Sequence, residues 1–320
     1  MVSIIIAAYN EEKYISALLE SIYNLKAMNR YEIIVVDDGS TDSTRDIVSS
    51  FPGVRLLTQR NQGPGAARNT GAQGAQGDIL VFIDADTEVI EHWLDELVRP
   101  FEDQTIVGVK GFVKSRQKAV VSRFVDLDYG IKHDKLLQYP EIDFINTGLA
   151  AYRRSVFLEM GGFDTGFRVG EDIDLSYRIS RNKNYRMVAA PRSQIWHMHE
   201  ETLKEFIKKK VRNGYWRILV YDKNPEKTRN DTHTTSDVKY QTMALGILFV
   251  WAVLYLANIS VIYILIIGVL ILLWSTVPLT RKALNKDKAL VPLILPLSVI
   301  RTACLCLGVA GGLIKLRVMK

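Results

Sequence analysis

Gly77-Asp78-Ile79-Leu80-Val81-Phe82-Ile83-Asp84-Ala85-Asp86-Thr87-Glu88 is an apolar run of strand length that breaks off in two aspartates one residue apart. A strand apolar at nearly every position is buried on both faces, as in a parallel sheet covered by helices. Side chains at i and i+2 of an extended chain point the same way. Asp84 and Asp86 are therefore expected to project together from the carboxyl end of the strand, where open α/β sheets bind ligands. Two carboxylates held side by side repel, and a divalent cation with oxygen ligands relieves the repulsion. An isolated Asp-x-Asp is more often a solvated turn, so the neighbouring segments decide.

Upstream, Val2–Ala8 reads directly as a β-rich run, so no cleaved leader is expected before it. Tyr9-Asn10-Glu11-Glu12 follows, and Ile15, Leu18, Leu19 and Ile22 then mark one apolar face of a helix. Glu32–Val36 is a second strand ending in acids, Asp37 and Asp38, with Asp42 or Ser43 capping the next helix. Val54–Leu57 is a short third strand. Asn61-Gln62-Gly63-Pro64-Gly65-Ala66-Ala67-Arg68-Asn69 is a glycine-rich turn opening a helix. Such alternation implies right-handed crossovers and a mostly parallel, Rossmann-like sheet. A nicotinamide fold would need three glycines in the first strand-to-helix turn. Tyr9–Glu12 stands there instead, which argues against a dehydrogenase.

The combination Val2–Glu12, Val35–Asp42, Asn61–Gly71 and Asp78–Glu88 resembles the family 2 glycosyltransferases of GT-A fold, in register over roughly the first two hundred residues. The resemblance implies an inverting sugar transfer from a nucleotide-diphosphate donor, expected to be UDP-linked. It implies a donor site drawn from Ala8, Tyr9, Asn10, Glu11, Asp37, Asp38, Arg68, Asp84, Ala85 and Asp86. Asp37 and Asp38 would contact the nucleoside, Arg68 would face a phosphate, and Asp84 and Asp86 would hold Mg²⁺ or Mn²⁺. Phe144–Tyr152, Gly161–Asp164 and Gly170–Arg178 resemble the family's acceptor-side segments. Asp172 is then the expected general base, with Glu171 orienting the acceptor or leaving group. Acids in a first helical turn are also ordinary caps. In Trp196-His197-Met198-His199-Glu200, either His197 or His199 is a candidate further metal ligand, as either is a candidate polar residue at a strand end.

The chain has 320 residues, 48% of them hydrophobic, and a net charge of +6. The apolar residues collect after Met243. The basic ones crowd Lys204–Arg217 and the ends of the apolar segments, which points to an anionic membrane surface. No nucleic-acid reading motif accompanies them. Cys304 and Cys306 lie in an apolar stretch and suggest neither a disulfide framework nor a zinc site, which suits a reducing cytosol. Thr202–Val220 reads as a basic amphipathic helix with Leu203, Phe206, Ile207, Val211, Tyr215, Ile218 and Leu219 on one face. It is a candidate for the headgroup plane or for packing on the domain. As one helix Met243–Val277 would be about 50 Å long, beyond a ~30 Å hydrocarbon core. A split at Asn258-Ile259-Ser260, with Lys239 before it and Arg281, Lys282, Lys286 and Lys288 after it, makes a hairpin with both ends cytoplasmic. Ala289–Ile314 carries Pro292, Pro296 and Arg301 and ends in Lys315, Arg317 and Lys320. An arginine in mid-span is costly without a partner. An interfacial or re-entrant segment with Arg301 facing a lipid phosphate is favoured over a third span. Gly308, Gly311 and Gly312 would permit close helix contact, though not as a strict Gly-x-x-x-Gly.

The expected organisation is a catalytic domain over 1–220, with a donor half (1–100) and an acceptor half (101–220). A linker (221–240) and a membrane region (241–320) follow, the latter with a hairpin at 243–277 and a further segment at 289–314. The expected protein is multi-pass, with its catalytic domain facing the cytoplasm and a lipid-linked hydroxyl acceptor. A polyprenyl-phosphate or dolichyl-phosphate sugar synthase is the rival within the class, because its acceptor is already ionised and needs no base. A non-catalytic membrane-tethered scaffold is the rival outside it. A processive synthase is disfavoured by the number of apolar segments and by the lack of a Gln-x-x-Arg-Trp signature. Sugar, acceptor and oligomeric state stay open.

Overall fold

The computed structural model describes residues 1–24, 30–228, 232, 234–257, 259 and 261–319. β1 (Val2–Ala8) leads through α1 (Ile15–Tyr23) to β2 (Tyr31–Asp37), and α2 (Thr44–Ser49) leads to β3 (Val54–Thr58). α3 (Pro64–Gly74) returns the chain to β4 (Ile79–Asp84), followed by β5 (Thr87–Val89), α4 (Trp93–Val98) and β6 (Ile106–Lys114). After α5 (Val120–Leu136) come β7 (Leu149–Arg153), α6 (Arg154–Glu159), α7 (Glu171–Ser180) and β8 (Arg186–His197). The remainder is helical: α8 (Leu203–Lys223), α9 (Ser236–Leu256), α10 (Ile262–Ser275), α11 (Val277–Lys286) and α12 (Val291–Met319). The chain forms two compact units. One comprises Met1–Arg116, Leu136–Met198 and Glu226–Asp231, the other Gln117–Lys135, His199–Pro225 and Thr232–Lys320.

The first unit is built on one sheet of order β3-β2-β1-β4-β7-β6-β8-β5. β3, β2, β1 and β4 run parallel; β7 is antiparallel to β4 and β6; β8 is parallel to β6, and β5 antiparallel to β8. The continuous apolar runs are its parallel half: Ile4, Ile5, Ile6, Val35, Val36 and Leu80 through Ile83 are fully buried. α1 turns Ile15, Leu18, Leu19 and Ile22 inward. Gly71 lets α3 lie on β1, because a Cβ there would fall 2.5 Å from the Ile5 Cγ2. Behind β4, Phe82 packs edge-on to Phe163 and tilted against Phe157, with centroids 5.1 and 5.2 Å away. Ser43 occupies the N-cap position of α2, but the Asp42 carboxylate does the capping, accepting the Thr44 N–H at 3.0 Å and its hydroxyl at 2.6 Å.

The second unit is built of helices, and it contains residues 117–135 and 199–220, read from sequence as part of the catalytic domain, and 221–225, read as the start of the linker. α8 opens on a capping box of Thr202 and Glu205. Its buried stripe is Phe206, Lys210, Gly214 and Val220, whereas Leu203 and Ile207 are exposed, so the expected apolar face is rotated. The cause is α12. A Cβ on Gly214 would strike the Leu305 backbone, and one on Gly308 or Gly312 the backbone of Val211 or Tyr215, so α8 and α12 meet backbone to backbone. Gly308 and Gly312 are four residues apart, which is a strict Gly-x-x-x-Gly after all, and its partner is α8. The polar stretch read as a linker contains a 3₁₀ turn at Pro225–Lys227 and enters α9 at Ser236. Residues 229–231 and 233 of that stretch lie outside the described residues, as do Asn258 and Ser260 of the expected hairpin break and Lys320 of the basic flank.

Among the described residues three helical segments are long and apolar enough to cross a membrane, Ser236–Leu256, Ile262–Lys286 and Lys288–Val318. α12 runs through Pro296 unbroken, so the segment expected to be interfacial or re-entrant is one continuous helix. Arg301 does not face outward to a lipid phosphate: it is 1% exposed. Its guanidinium donates to Asp128 of α5, and at 2.8 Å each to Asp237 and Gln241 of α9. Lys132 also pairs with Asp128, at 3.0 Å. The missing partner that made a central arginine costly is thus supplied by other helices. Arg123 with Asp287 and Lys282 with Asp134, each at 2.5 Å, further tie α5 to the α11 end. Arg301→Leu would leave Asp237 buried without its cation, and breaking a buried pair costs ~3–5 kcal/mol. The variant is expected to melt far below wild type in detergent, with Asp237→Asn on that background recovering part of the loss. A wild-type melting curve for Arg301→Leu would show that the cluster does not stabilise the fold.

Candidate active site

Asp84 closes β4, and buried Ala85 turns the chain into Asp86 and β5. β5 pairs with β8 so that Thr87 lies opposite His197, and this pairing brings a residue 113 positions from Asp84 to the twin aspartates. Two hydrogen bonds hold the turn: Thr87 Oγ1 donates to the Asp84 carbonyl at 2.7 Å and Met198 N–H to the Asp86 carbonyl at 3.0 Å. The His197 Nε2 is 3.6 Å from Asp86 Oδ1 and 3.9 Å from Asp84 Oδ2. One ligand atom from each of the three residues lies within 4.8 Å of the others. Two carboxylates and an imidazole converging at this spacing fit a divalent cation. Of the two candidate histidines, His197 is the one in this cluster. His199 belongs to the second unit, where its ring stacks on Tyr129 at 5.1 Å.

Arg68, expected at a phosphate, gives both terminal nitrogens to carboxylates. Nη2 donates to Asp84 Oδ1 at 2.8 Å and Nη1 to Glu171 Oε1 at 2.7 Å. Gly63, whose φ of +95° suits glycine, is the N-cap of α3, which starts at Pro64. Gly65 permits the approach of α7, since a Cβ there would lie 3.3 Å from the Glu171 Cγ.

α7 starts after Gly170 in the left-handed region, with Glu171, Asp172 and Asp174 in its first turn, where the helix dipole favours acids. Asp174 is buried and paired with Arg178 at 2.8 Å, a bond readable from the four-residue spacing. Asp172 Oδ1 accepts the Ile173 N–H at 2.8 Å and Oδ2 the Thr147 N–H at 3.3 Å, so the Asn146–Gly148 turn holds it from outside the helix. Asp84, Glu171 and Asp172 crowd one guanidinium. Burial pushes Glu171 up to about 7, the charge of Asp172 adding to it against the pull of Arg68. Burial also raises Asp172. For Asp84 burial opposes ionisation too, but the neighbouring His197 imidazole and the charge of Arg68 hold it well below the usual carboxylate range. Glutamate ordinarily titrates at 4.5, so between there and about 7 the folded protein keeps a proton that the unfolded chain has lost. The stability from this group is therefore present at low pH and lost as pH rises toward and through about 7. Wild-type protein is expected to lose melting temperature between pH 5.5 and 8 relative to Glu171→Gln, as read by thermal scans across that range; parallel curves would refute it.

The first turn is clipped to the turn after β2. Asn10, at φ +57°, accepts the Thr41 N–H at 2.8 Å, and the Glu11 N–H donates to Thr44 Oγ1 at 2.7 Å. Ala8 is buried, its carbonyl accepting the Asp38 N–H at 2.8 Å, while Tyr9 is 46% exposed. Burial, then the charges of Asp86 and Asp84, push Glu11 up to about 7, which marks it as a neighbour of the twin aspartates. Asp37 is buried, accepting from the Ser40 N–H and from Arg45 at 3.0 Å each. Asp38 accepts Gln59 Nε2 at 2.7 Å, the Gln62 N–H at 2.9 Å and the Gly63 N–H at 2.8 Å, so it braces the glycine-rich turn. Arg45, Gln59, Thr87 and Thr147 have no role in the sequence reading: Thr87 and Thr147 lie inside the quoted segments but bond through a hydroxyl to a carbonyl and through a backbone N–H, which no pattern announces, and Arg45 and Gln59 lie outside them.

Residues 3–161 match the family model described as glycosyl transferase family 2. The chain belongs to the family 2 glycosyltransferases. Asp84 and Asp86 lie inside the matched stretch; Glu171, Asp172 and His197 lie beyond it. A pre-mycofactocin glycosyltransferase of Mycobacterium tuberculosis is 28% identical over 236 residues, 71% of this chain and 49% of that protein. A poly-beta-1,6-N-acetyl-D-glucosamine synthase of Staphylococcus aureus is 27% identical over 236 residues, 69% of this chain and 56% of that protein. The chain thus spans about half the length of these relatives. A mannosyltransferase from Pyrobaculum calidifontis, solved in complex with GDP-Man and Mn²⁺, shares the GT-A fold at a TM-score of 0.61 and 21% identity, covering 98% of this chain and 86% of that one.

Proposed function

We propose that the protein moves a sugar from a nucleotide-diphosphate donor, UDP-linked, to a hydroxyl of a lipid-linked acceptor, with inversion. The observation that carries this reading is the convergence of Asp84, Asp86 and His197 at the carboxyl ends of the strands. These three residues would hold Mg²⁺ or Mn²⁺, the ion in the structure of the Pyrobaculum calidifontis mannosyltransferase being Mn²⁺. Charge neutralisation of the departing diphosphate is the chemistry such an ion supplies. The turn from Ala8 to Glu11, with exposed Tyr9, would face the nucleoside. Asp37 and Asp38 would shape that pocket through the turns they brace.

Asp172 takes the acceptor proton in this scheme. The acceptor oxygen bonds to the anomeric carbon as the bond to the diphosphate oxygen breaks, the electron pair leaving with the nucleotide. A carboxylate raised by burial is the better base. Glu171, buried and held by Arg68, orients its neighbour rather than exchanging protons with the acceptor.

Membrane association rests on three candidate spans. The catalytic domain faces the cytoplasm in this proposal, by the lysines and arginines at the ends of the apolar segments. Three crossings would put the basic C-terminal flank on the other side, whereas two would keep both flanks cytoplasmic. A panel of labelled UDP- and GDP-sugars offered with polyprenyl phosphate or a polyprenyl-diphosphate-linked sugar tests the whole. Metal-dependent label transfer to the diphosphate-linked sugar supports the proposal. Transfer to polyprenyl phosphate alone would favour the synthase reading, and no transfer or donor binding would favour a scaffold.

A further inference from the structure

We propose that Arg68 is a positioning residue that ties the cation-holding end of β4 to the base-bearing end of α7, setting both through one guanidinium. The inference rests on the donor-site and base reading above.

The geometry is that of a bridge. One terminal nitrogen reaches Asp84 Oδ1 at 2.8 Å and the other reaches Glu171 Oε1 at 2.7 Å. Arg68 is 6% exposed, so these bonds are not shared with bulk water. With Oδ1 engaged, Asp84 turns Oδ2 toward the His197 side, where the distance to Nε2 is 3.9 Å. Fixing one carboxylate oxygen so that the other is aimed is how outer partners orient metal ligands. At its other end the guanidinium holds the first residue of α7, the peptide neighbour of Asp172. Phe163, from the chain leading to α7, lies under the guanidinium with its ring centroid 5.9 Å from Cζ, and Asn69, next to Arg68, binds the Phe163 carbonyl at 2.8 Å. The middle of α3 is therefore fastened to the approach to α7 at several points. Planarity matters: a rigid fork can bond two carboxylates at once, whereas a lysine ammonium is a point charge on a flexible stem.

Arg68→Lys and Arg68→Met, each checked for a wild-type circular dichroism spectrum, test this in full-length protein. Two quantities are read: Mn²⁺ affinity by electron paramagnetic resonance without nucleotide, and turnover at saturating Mn²⁺ and donor. Losing an outer partner of a metal ligand typically costs ~10–100-fold in affinity, and that loss is expected in both variants. Turnover should stay depressed in both when the metal site is filled, because α7 is no longer held. A Lys variant equal to wild type in both readings would overturn the inference, since charge alone would then suffice. So would turnover fully restored by excess Mn²⁺, which would confine Arg68 to the metal side. Should the Met variant misfold, the Lys variant decides. A wild-type chain that binds no Mn²⁺ overturns the donor-site reading and this inference with it; a wild type that binds while Lys behaves as Arg overturns the inference alone.

Discussion

Asp172→Asn should lower turnover by ~10²–10⁴-fold, the range ascribed to a positioned general base, while nucleotide and Mn²⁺ bind as before. The asparagine keeps the shape, and its one carbonyl oxygen can still accept the Ile173 N–H, the shorter of the two bonds that fix the side chain at 2.8 and 3.3 Å; the weaker bond from Thr147 is given up because an amide nitrogen does not accept. What disappears is the capacity to take the acceptor proton. Glu171 is a poor substitute, because it is buried and engaged with Arg68. Single-turnover measurement with a verified acceptor separates this loss from any change in binding. Near wild-type turnover would remove Asp172 from the mechanism and revive an acceptor that arrives ionised.

Asp86→Ala should act earlier, on donor capture. It removes one of three groups whose ligand atoms lie within 4.8 Å of one another. The loss of Mn²⁺ affinity should exceed the ~10–100-fold that follows removal of a mere outer partner. Titration of UDP by calorimetry should show metal-dependent binding in wild type and little dependence on metal in the variant. Equal metal dependence in both would exclude Asp86 as a ligand. His197→Ala should resemble Asp86→Ala, whereas His199→Ala should not, since His199 stacks on Tyr129 in the second unit.

These expectations draw unevenly on sequence and structure. The parallel half of the sheet was legible because burial on both faces leaves continuous apolar runs such as Ile79–Ile83. The projection of Asp84 with Asp86 followed from the two-residue period of a strand. His197 was not separable from His199, because only the pairing of β5 with β8 selects between them. Arg68 read as a phosphate partner for a similar reason: Glu171 lies 103 residues away, and no local pattern announces the contact. Arg301 looked untenable in a span because Asp128 and Asp237 lie 173 and 64 residues off. The expected face of α8 was rotated because backbone contact through Gly214, Gly308 and Gly312 outweighed the exposure of Leu203 and Ile207. The glycine spacing itself was in plain view.

Anomalous scattering from Mn²⁺ in crystals grown with a UDP-sugar would locate the ion without relying on activity. A single strong peak coordinated by Asp84 or Asp86 together with His197, touching the diphosphate, is what the proposed donor site requires. A nucleotide bound with no peak there, or a peak ligated by other residues, would contradict it.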